Sequence, residues 1–197
     1  MDKAKVIKEL ENFRKQYVET AVKLIKIRED NDLTPEAKAR RIDEIGNKYR
    51  DAINNSKAVS VEATKGLQRA LRARRKSDIV NGLKSADEIQ IITDAIKNNA
   101  FNADMLNDIT EIFEHNPVAL ESIRGALKNS TDESTQMLAL NLPTDNTEKN
   151  IESLNKLIRN IENVPPVENP VTEITAAMYQ NGMAFDSMID FVNSIEI

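Results

Sequence analysis

Val6, Leu10, Phe13, Tyr17, Thr20, Leu24 and Ile27 step along the chain by 4-3-4-3-4-3. That spacing is the heptad seam of a helix packed lengthwise on a partner, and Thr20 is its only polar member. Ile7, Val18, Ala21 and Ile25 widen the stripe beyond what one neighbouring helix covers. Asn31-Asp32-Leu33 ends the pattern and Thr34-Pro35-Glu36 restarts it. Thr34 can cap free backbone N–H groups, Pro35 suits a first helical turn, and Leu33 can staple the entry. A second seam follows at Ile42, Ile45, Tyr49, Ala52, Ser56, Val59 and Ala63, with 4-4 steps from Val59 to Leu67. The change of step is a stutter, and Asn54-Asn55-Ser56 weakens the middle of the run. Two such helices with a four-residue connection predict a long antiparallel hairpin of coiled-coil type.

The second helix is expected to outrun the first. At about 1.5 Å per residue, residues 2–30 span roughly 43 Å and residues 35–76 roughly 63 Å. Asp2 then lies near Ala63, and residues 65–76 project beyond the hairpin. Asn81-Gly82 offers turn chemistry for a break after Lys76.

Beyond it the pattern shortens. Ser85 and Glu88 form a capping box ahead of Ile89, Ile92 and Ile96. Asn102 caps a segment with Met105, Leu106, Ile109, Ile112 and Phe113, and Asn116-Pro117 opens another with Leu120, Ile123 and Leu127. Residues 129–146 read as a linker around the apolar patch Met137-Leu138-Ala139-Leu140. Ile151, Leu154, Leu157, Ile158 and Ile161 mark a helix stopped by Pro165-Pro166, and two more are expected near 171–181 and 184–195. No strand alternation and no fixed repeat occurs. The expected fold class is all-α: the hairpin, then a C-terminal bundle of short helices.

Charge suggests where to divide it. Residues 1–84 hold 21 Lys/Arg and 13 Asp/Glu, a net +8; residues 85–197 hold 6 and 19, a net −13. The expected domains are therefore a basic hairpin, 1–84, and an acidic bundle, 85–197. Aromatics are only 4% of the 197 residues, with 5 Gly and 6 Pro, which suits long helices around an aliphatic core. Cysteine is absent, so disulfides, thiolate metal sites and cysteine nucleophiles are excluded. No stretch reaches the roughly 18 apolar residues of a membrane span, and Met1-Asp2-Lys3 leads into a charged helix without an apolar signal core. The chain is expected to be soluble, unsecreted and without a membrane partner.

No HExxH, GxSxG, GxGxxG or GxxxxGK[ST] motif occurs. Asp30-Asn31-Asp32 begins like a calcium loop, but the glycine and closing glutamate are missing. His115 is the single histidine and reads as a cation at a helix C-terminus. Enzyme activity, a metal and a cofactor are therefore not expected. The strongest local signal is basic: Lys65, Arg69, Arg72, Arg74, Arg75 and Lys76 lie in twelve residues without an acid. Lys65, Arg69, Arg72 and Lys76 share one helix face, which suits phosphates, an acidic partner, or the chain's own acidic part. No aromatic interleaves them, so single-strand base stacking is disfavoured. The Met- and Phe-rich segment 178–191 reads as core or as a docking face.

The stretch from Ile7-Lys8-Glu9-Leu10 through Leu33-Thr34-Pro35-Glu36-Ala37-Lys38 to Ile42-Asp43-Glu44-Ile45 and Tyr49 resembles small helical coiled-coil proteins of bacteriophage structural cassettes. The resemblance covers about the first 60 residues and implies a virion or head-assembly role, in the virion or the host cytoplasm, with no catalytic residues to carry over. The leading expectation is a non-enzymatic phage-like structural protein. It oligomerises through Leu10, Phe13, Tyr17, Leu24, Ile27, Ile42, Ile45 and Tyr49 and docks to another structural protein. The alternatives are a DNA- or RNA-binding accessory protein using 65–76, and an acidic inhibitor of a host nucleic-acid enzyme.

Overall fold

A computed structural model describes residues 3–167, 178–179 and 181–195. The protein is all-helical. Among the described residues the helices are α1 (Lys3–Glu29), α2 (Pro35–Lys84), α3 (Ala86–Lys97), α4 (Ala103–Ile112), α5 (Pro117–Lys128), α6 (Glu133–Asn141), α7 (Thr147–Glu162) and α8 (Met183–Ser194). The helix expected near 171–181 falls largely outside the described residues.

The hairpin forms, and α1 buries its predicted seam from Val6 to Leu24. Lys23 Nζ donates to Tyr49 Oη at 3.0 Å, Ser56 Oγ to Gln16 Oε1 at 2.6 Å, and Ser60 Oγ lies 2.9 Å from Glu9 O. Sequence number rises on α2 as it falls on α1, the signature of antiparallel pairing. Thr34 accepts from Ala37 N at 3.3 Å, so it caps α2 with Pro35 in the first turn. The phase of α2 differs from the expected one. Ser56 and Leu67 are buried as the seam requires, but Ala52 and Val59 are exposed and Ile53, Ser60 and Thr64 are buried instead. The stutter is present, but it falls on Ser56, Ser60 and Thr64. Their hydroxyls bond back to carbonyls one turn earlier, Ser60 to Ser56 O and Thr64 to Ser60 O, so small polar side chains are buried without loss of hydrogen bonds.

The chain divides into two compact units, 1–70 with 149–197 and 71–148. This differs from the boundary at 84/85 expected from charge, because packing, not net charge, groups the helices. Unit 1 contains α1, most of α2, nearly all of α7, and α8. The α7 helix runs antiparallel to α2: Gln68 Nε2 donates to Asn155 Oδ1 at 2.8 Å, and Lys57 Nζ to Val164 O at 3.0 Å. The α8 helix runs antiparallel to α1, with Lys3 Nζ on Asn193 O at 3.2 Å and Arg14 Nη2 on Asp186 Oδ2 at 3.3 Å. Phe185 enters the first seam, its ring 5.0 Å from Phe13 and 5.6 Å from Tyr17. A third helix of the same chain thus covers α1 about Phe13 and Tyr17, and the 178–191 segment supplies core through Phe185 and Met188.

Unit 2 holds the α2 tail and α3 to α6. Its core joins Ile89, Ile96, Leu106, Phe113, Ile123 and Leu127 with Ala139 and Leu142. The 129–146 segment is therefore not a linker: α6 lies within it, and Asp132 caps it by accepting from Thr135 N at 3.0 Å. The expected break at Asn81-Gly82 is also absent, since α2 continues to Lys84. Gly82 instead permits close approach: a Cβ there would lie 2.4 Å from Asn116 Oδ1 and 3.0 Å from Val118 Cβ. Ser85 stands at the N-cap of α3 but makes no side-chain cap bond.

Candidate functional site

Unit 2 carries the candidate surface, and its local structure begins with helix ends. Asn102 and Asn116 cap α4 and α5 as expected, accepting from Met105 N at 2.9 Å and Ala119 N at 3.0 Å. Asn99 has φ of 54° and closes α3: its N–H bonds to Ile96 O and that of Ala100 to Ala95 O. This is a Schellman ending with asparagine in the left-handed position. The Asn99 side chain accepts from Ser130 Oγ and donates to Thr131 Oγ1, tying the α3 end to the α5–α6 turn. Arg124 Nη2 reaches Pro143 O at 2.7 Å and holds the segment after α6. Bonds from Ser134 and Thr135 hold the Asp132 carboxyl down at about 2.

These constraints fix where apolar side chains are left uncovered. Among the described residues, eight of the twelve large apolar side chains that remain exposed belong to unit 2: Ile79, Val80, Leu83, Ile91, Met105, Ile112, Met137 and Leu140. Ile112 is 76% and Leu140 72% exposed, so these side chains lie on the surface rather than at the edge of the core.

The six basic residues fare differently from one another. Arg69 pairs with Glu62, which lowers the Glu62 carboxyl through that hydrogen bond and charge. Arg74 lies 3.8 Å from Asp78. Arg75 Nε is 3.2 Å from Asp145 Oδ2, at an angle too oblique for a hydrogen bond, and its Nη1 pairs with Glu148. Burial raises the Asp145 carboxyl, but bonds from Thr147 and the Arg75 charge outweigh it and leave it lowered. Three of the six cations are thus engaged inside the chain. Lys65 is half-buried. Arg72 and Lys76 are exposed and, among the described residues, make no ion pair.

The residues expected to self-associate are placed elsewhere. Leu10, Phe13, Tyr17 and Leu24 are at most 2% exposed, inside unit 1. Ile27, Ile42, Ile45 and Tyr49 are half-buried where the hairpin turns. Self-contact through the first four would require unfolding. His115 is exposed, its Nε2 lying 2.9 Å from Glu114 Oε1. Among the described residues no three His, Asp or Glu side chains gather as a metal site, and no helix is long and apolar enough to cross a membrane.

The exposed apolar set was missed from sequence because each member sits inside a helix that also supplies core. Met137 and Leu140 flank the buried Ala139, and Ile112 adjoins the buried Phe113. The available signal was an excess of apolar residues over what one helix face can bury. No family model, curated protein or solved structure matches the chain.

Proposed function

We propose that this chain is a non-enzymatic structural or assembly protein of a phage-like particle, and that unit 2 makes its contacts with other subunits. One observation carries the reading: among the described residues, eight of the twelve large apolar side chains left exposed lie in unit 2, while the α1 seam from Val6 to Leu24 is buried. Exposed apolar surface marks protein contacts where it is contiguous. The hairpin then acts as a self-sufficient stem, and the resemblance of its sequence to virion proteins supplies the particle. Quantitative mass spectrometry of gradient-purified particles and assembly intermediates should find the chain in fixed ratio to the main subunits. Ile112→Ser with Leu140→Ser should reduce that ratio, and Val22→Ser on the hairpin should not. Absence of the chain from both fractions overturns the reading.

A second reading is nucleic-acid binding through 65–76, favoured by the exposed and unpaired Arg72 and Lys76. With two to three cations available, the salt slope should be shallow, about 2–3 in log–log form. Retention on duplex DNA at low salt that is lost in Arg72→Gln/Lys76→Gln supports it, and no retention rules it out.

A further inference from the structure

Two helices of unit 2 carry complementary outer faces. On α2, Arg72, Lys76, Ile79 and Leu83 follow by 4-3-4 steps and share one face, with Val80 beside them. Ile79, Val80 and Leu83 are 37%, 49% and 59% exposed. This stripe is basic at its start and apolar at its end. On α4, Asp104, Asp108 and Glu111 form one row by 4-3 steps. Met105 and Ile112, seven residues apart, form the adjacent row and are exposed. The opposite side of α4 is buried through Leu106, and the helix contains no basic residue.

We infer that α4 of one copy docks across the α2 tail of a second copy. Its acidic row meets Arg72 and Lys76, and its apolar row covers Ile79, Val80 and Leu83. The inference rests on the reading of unit 2 as the contact-making unit and names one occupant of that surface. Spacing supports the pairing. Lys76 and Ile79 are separated by about 4.5 Å along the α2 axis at 1.5 Å per residue. The two α4 rows stand about 80° apart around their helix, about 6–8 Å across its side-chain surface of roughly 5–6 Å radius. A steep crossing, one of the rarer helix-packing geometries, therefore lays the acidic row over Lys76 and the apolar row over Ile79 and Val80, with Arg72 and Leu83 flanking the contact.

Other occupants match less of the stripe. A phosphate backbone would meet Arg72 and Lys76 but leave three apolar side chains against water. An anionic membrane would accept a basic amphipathic stripe, but unit 2 holds 8 Lys/Arg against 13 Asp/Glu and is repelled as a whole. A second copy brings acid and apolar rows together, and each copy carries both halves of the contact.

The test uses the full chain in sedimentation equilibrium at about 100 µM, where modest affinities register. At low salt the mass should exceed that of the monomer, and it should fall as screening weakens the charged half of the contact. R72E/K76E should weaken association about tenfold or more, and D104K/D108K should do the same, because like charges then face each other. Both should keep wild-type helicity by circular dichroism, since all four positions are exposed. An equimolar mixture of the two variants should regain the wild-type mass, because each reversed row finds a reversed partner. A monomeric wild type, association indifferent to both reversals, or no recovery on mixing overturns the pairing. So does a wild type that stays monomeric while its Arg72 and Lys76 retain duplex DNA. Particles that incorporate a chain monomeric in this assay would overturn the pairing and leave the assembly role standing.

Discussion

Unit 1 and unit 2 solve the same packing problem to different degrees. Unit 1 holds 19 Lys/Arg and 19 Asp/Glu, and its ring cluster buries Phe13, Tyr17 and Phe185 with half-buried Tyr179 at its edge. Unit 2 is net −5 and leaves Leu83, Ile91, Ile112, Met137 and Leu140 more than half exposed. Helix length accounts for the surplus on the short helices α3, α4 and α6, whereas Ile79, Val80 and Leu83 are exposed on the tail of α2 itself. A 27-residue helix presents many turns to its neighbours, so a wide stripe can be covered by two of them. A helix of nine or ten residues has two or three turns, and when it is apolar on more than one side the surplus faces water. Unit 1 buries most of its large apolar side chains, and unit 2 leaves a surplus of them on its surface.

The contrast breaks most visibly in the core of unit 1. Phe185→Ala removes the ring that fills the space between Phe13 and Tyr17 and should cost about 3–5 kcal/mol. Urea denaturation followed by tyrosine fluorescence measures it. The equivalent truncation on the surface of unit 2, Ile112→Ala, should change stability by no more than about 0.5 kcal/mol. Equal effects would mean that Ile112 is covered in solution.

Two glycines sharpen the comparison. Gly82→Ala in unit 2 pushes a methyl group into the Asn116 cap and Val118, and overpacking of this kind should cost about 1–3 kcal/mol. Gly182→Ala in unit 1 meets a different obstacle: φ of 85° and the Arg14 guanidinium, whose Nε would lie 2.8 Å away. Its cost should be about 1 kcal/mol or more, and Gly182→Asn should recover part of it, because asparagine tolerates the left-handed region. Recovery by asparagine at Gly82 would contradict the assignment of that site to lack of space.

Smaller gains are expected where a helical glycine meets nothing. A Cβ at Gly66 or Gly125 finds no atom within 4 Å. Gly66→Ala in unit 1 and Gly125→Ala in unit 2 should each stabilise by about 0.5–1 kcal/mol, read as a rise in thermal midpoint. The smallest effect is one of pH. The Asp132 carboxyl is held at about 2 in the fold against an ordinary value of 3.8. A depressed carboxylate contributes above its unfolded value and loses that contribution as pH falls through its folded one. Amide exchange at the start of α6 should therefore accelerate between about pH 4 and pH 2. In Asp132→Asn that acceleration should disappear.

Several features could be read from residue order alone because their causes are local. The heptad steps of α1, the Thr34-Pro35 restart, the Asn102 and Asn116 caps and the stop at Pro165-Pro166 depend on side chains within a turn or two of the backbone they govern. The all-α class follows from the same local periodicities. Ser56 lies on the seam read from the sequence, but the step from it to Ser60 could not be read this way, since Val59 looks more apolar than Ser60. Only the approach of α1, which offers Gln16 and Glu9 O as partners, makes burial of those serines the better solution. The 1–84 and 85–197 division failed for a related reason: net charge is a long-range sum, whereas grouping is decided by contact, and α7 and α8 return to the hairpin. The basic residues at 65–76 were visible as a run, but which of them are free was set by Glu62, Asp78, Asp145 and Glu148. Two of those acids lie about seventy residues away along the chain and reach Arg75 only through the fold.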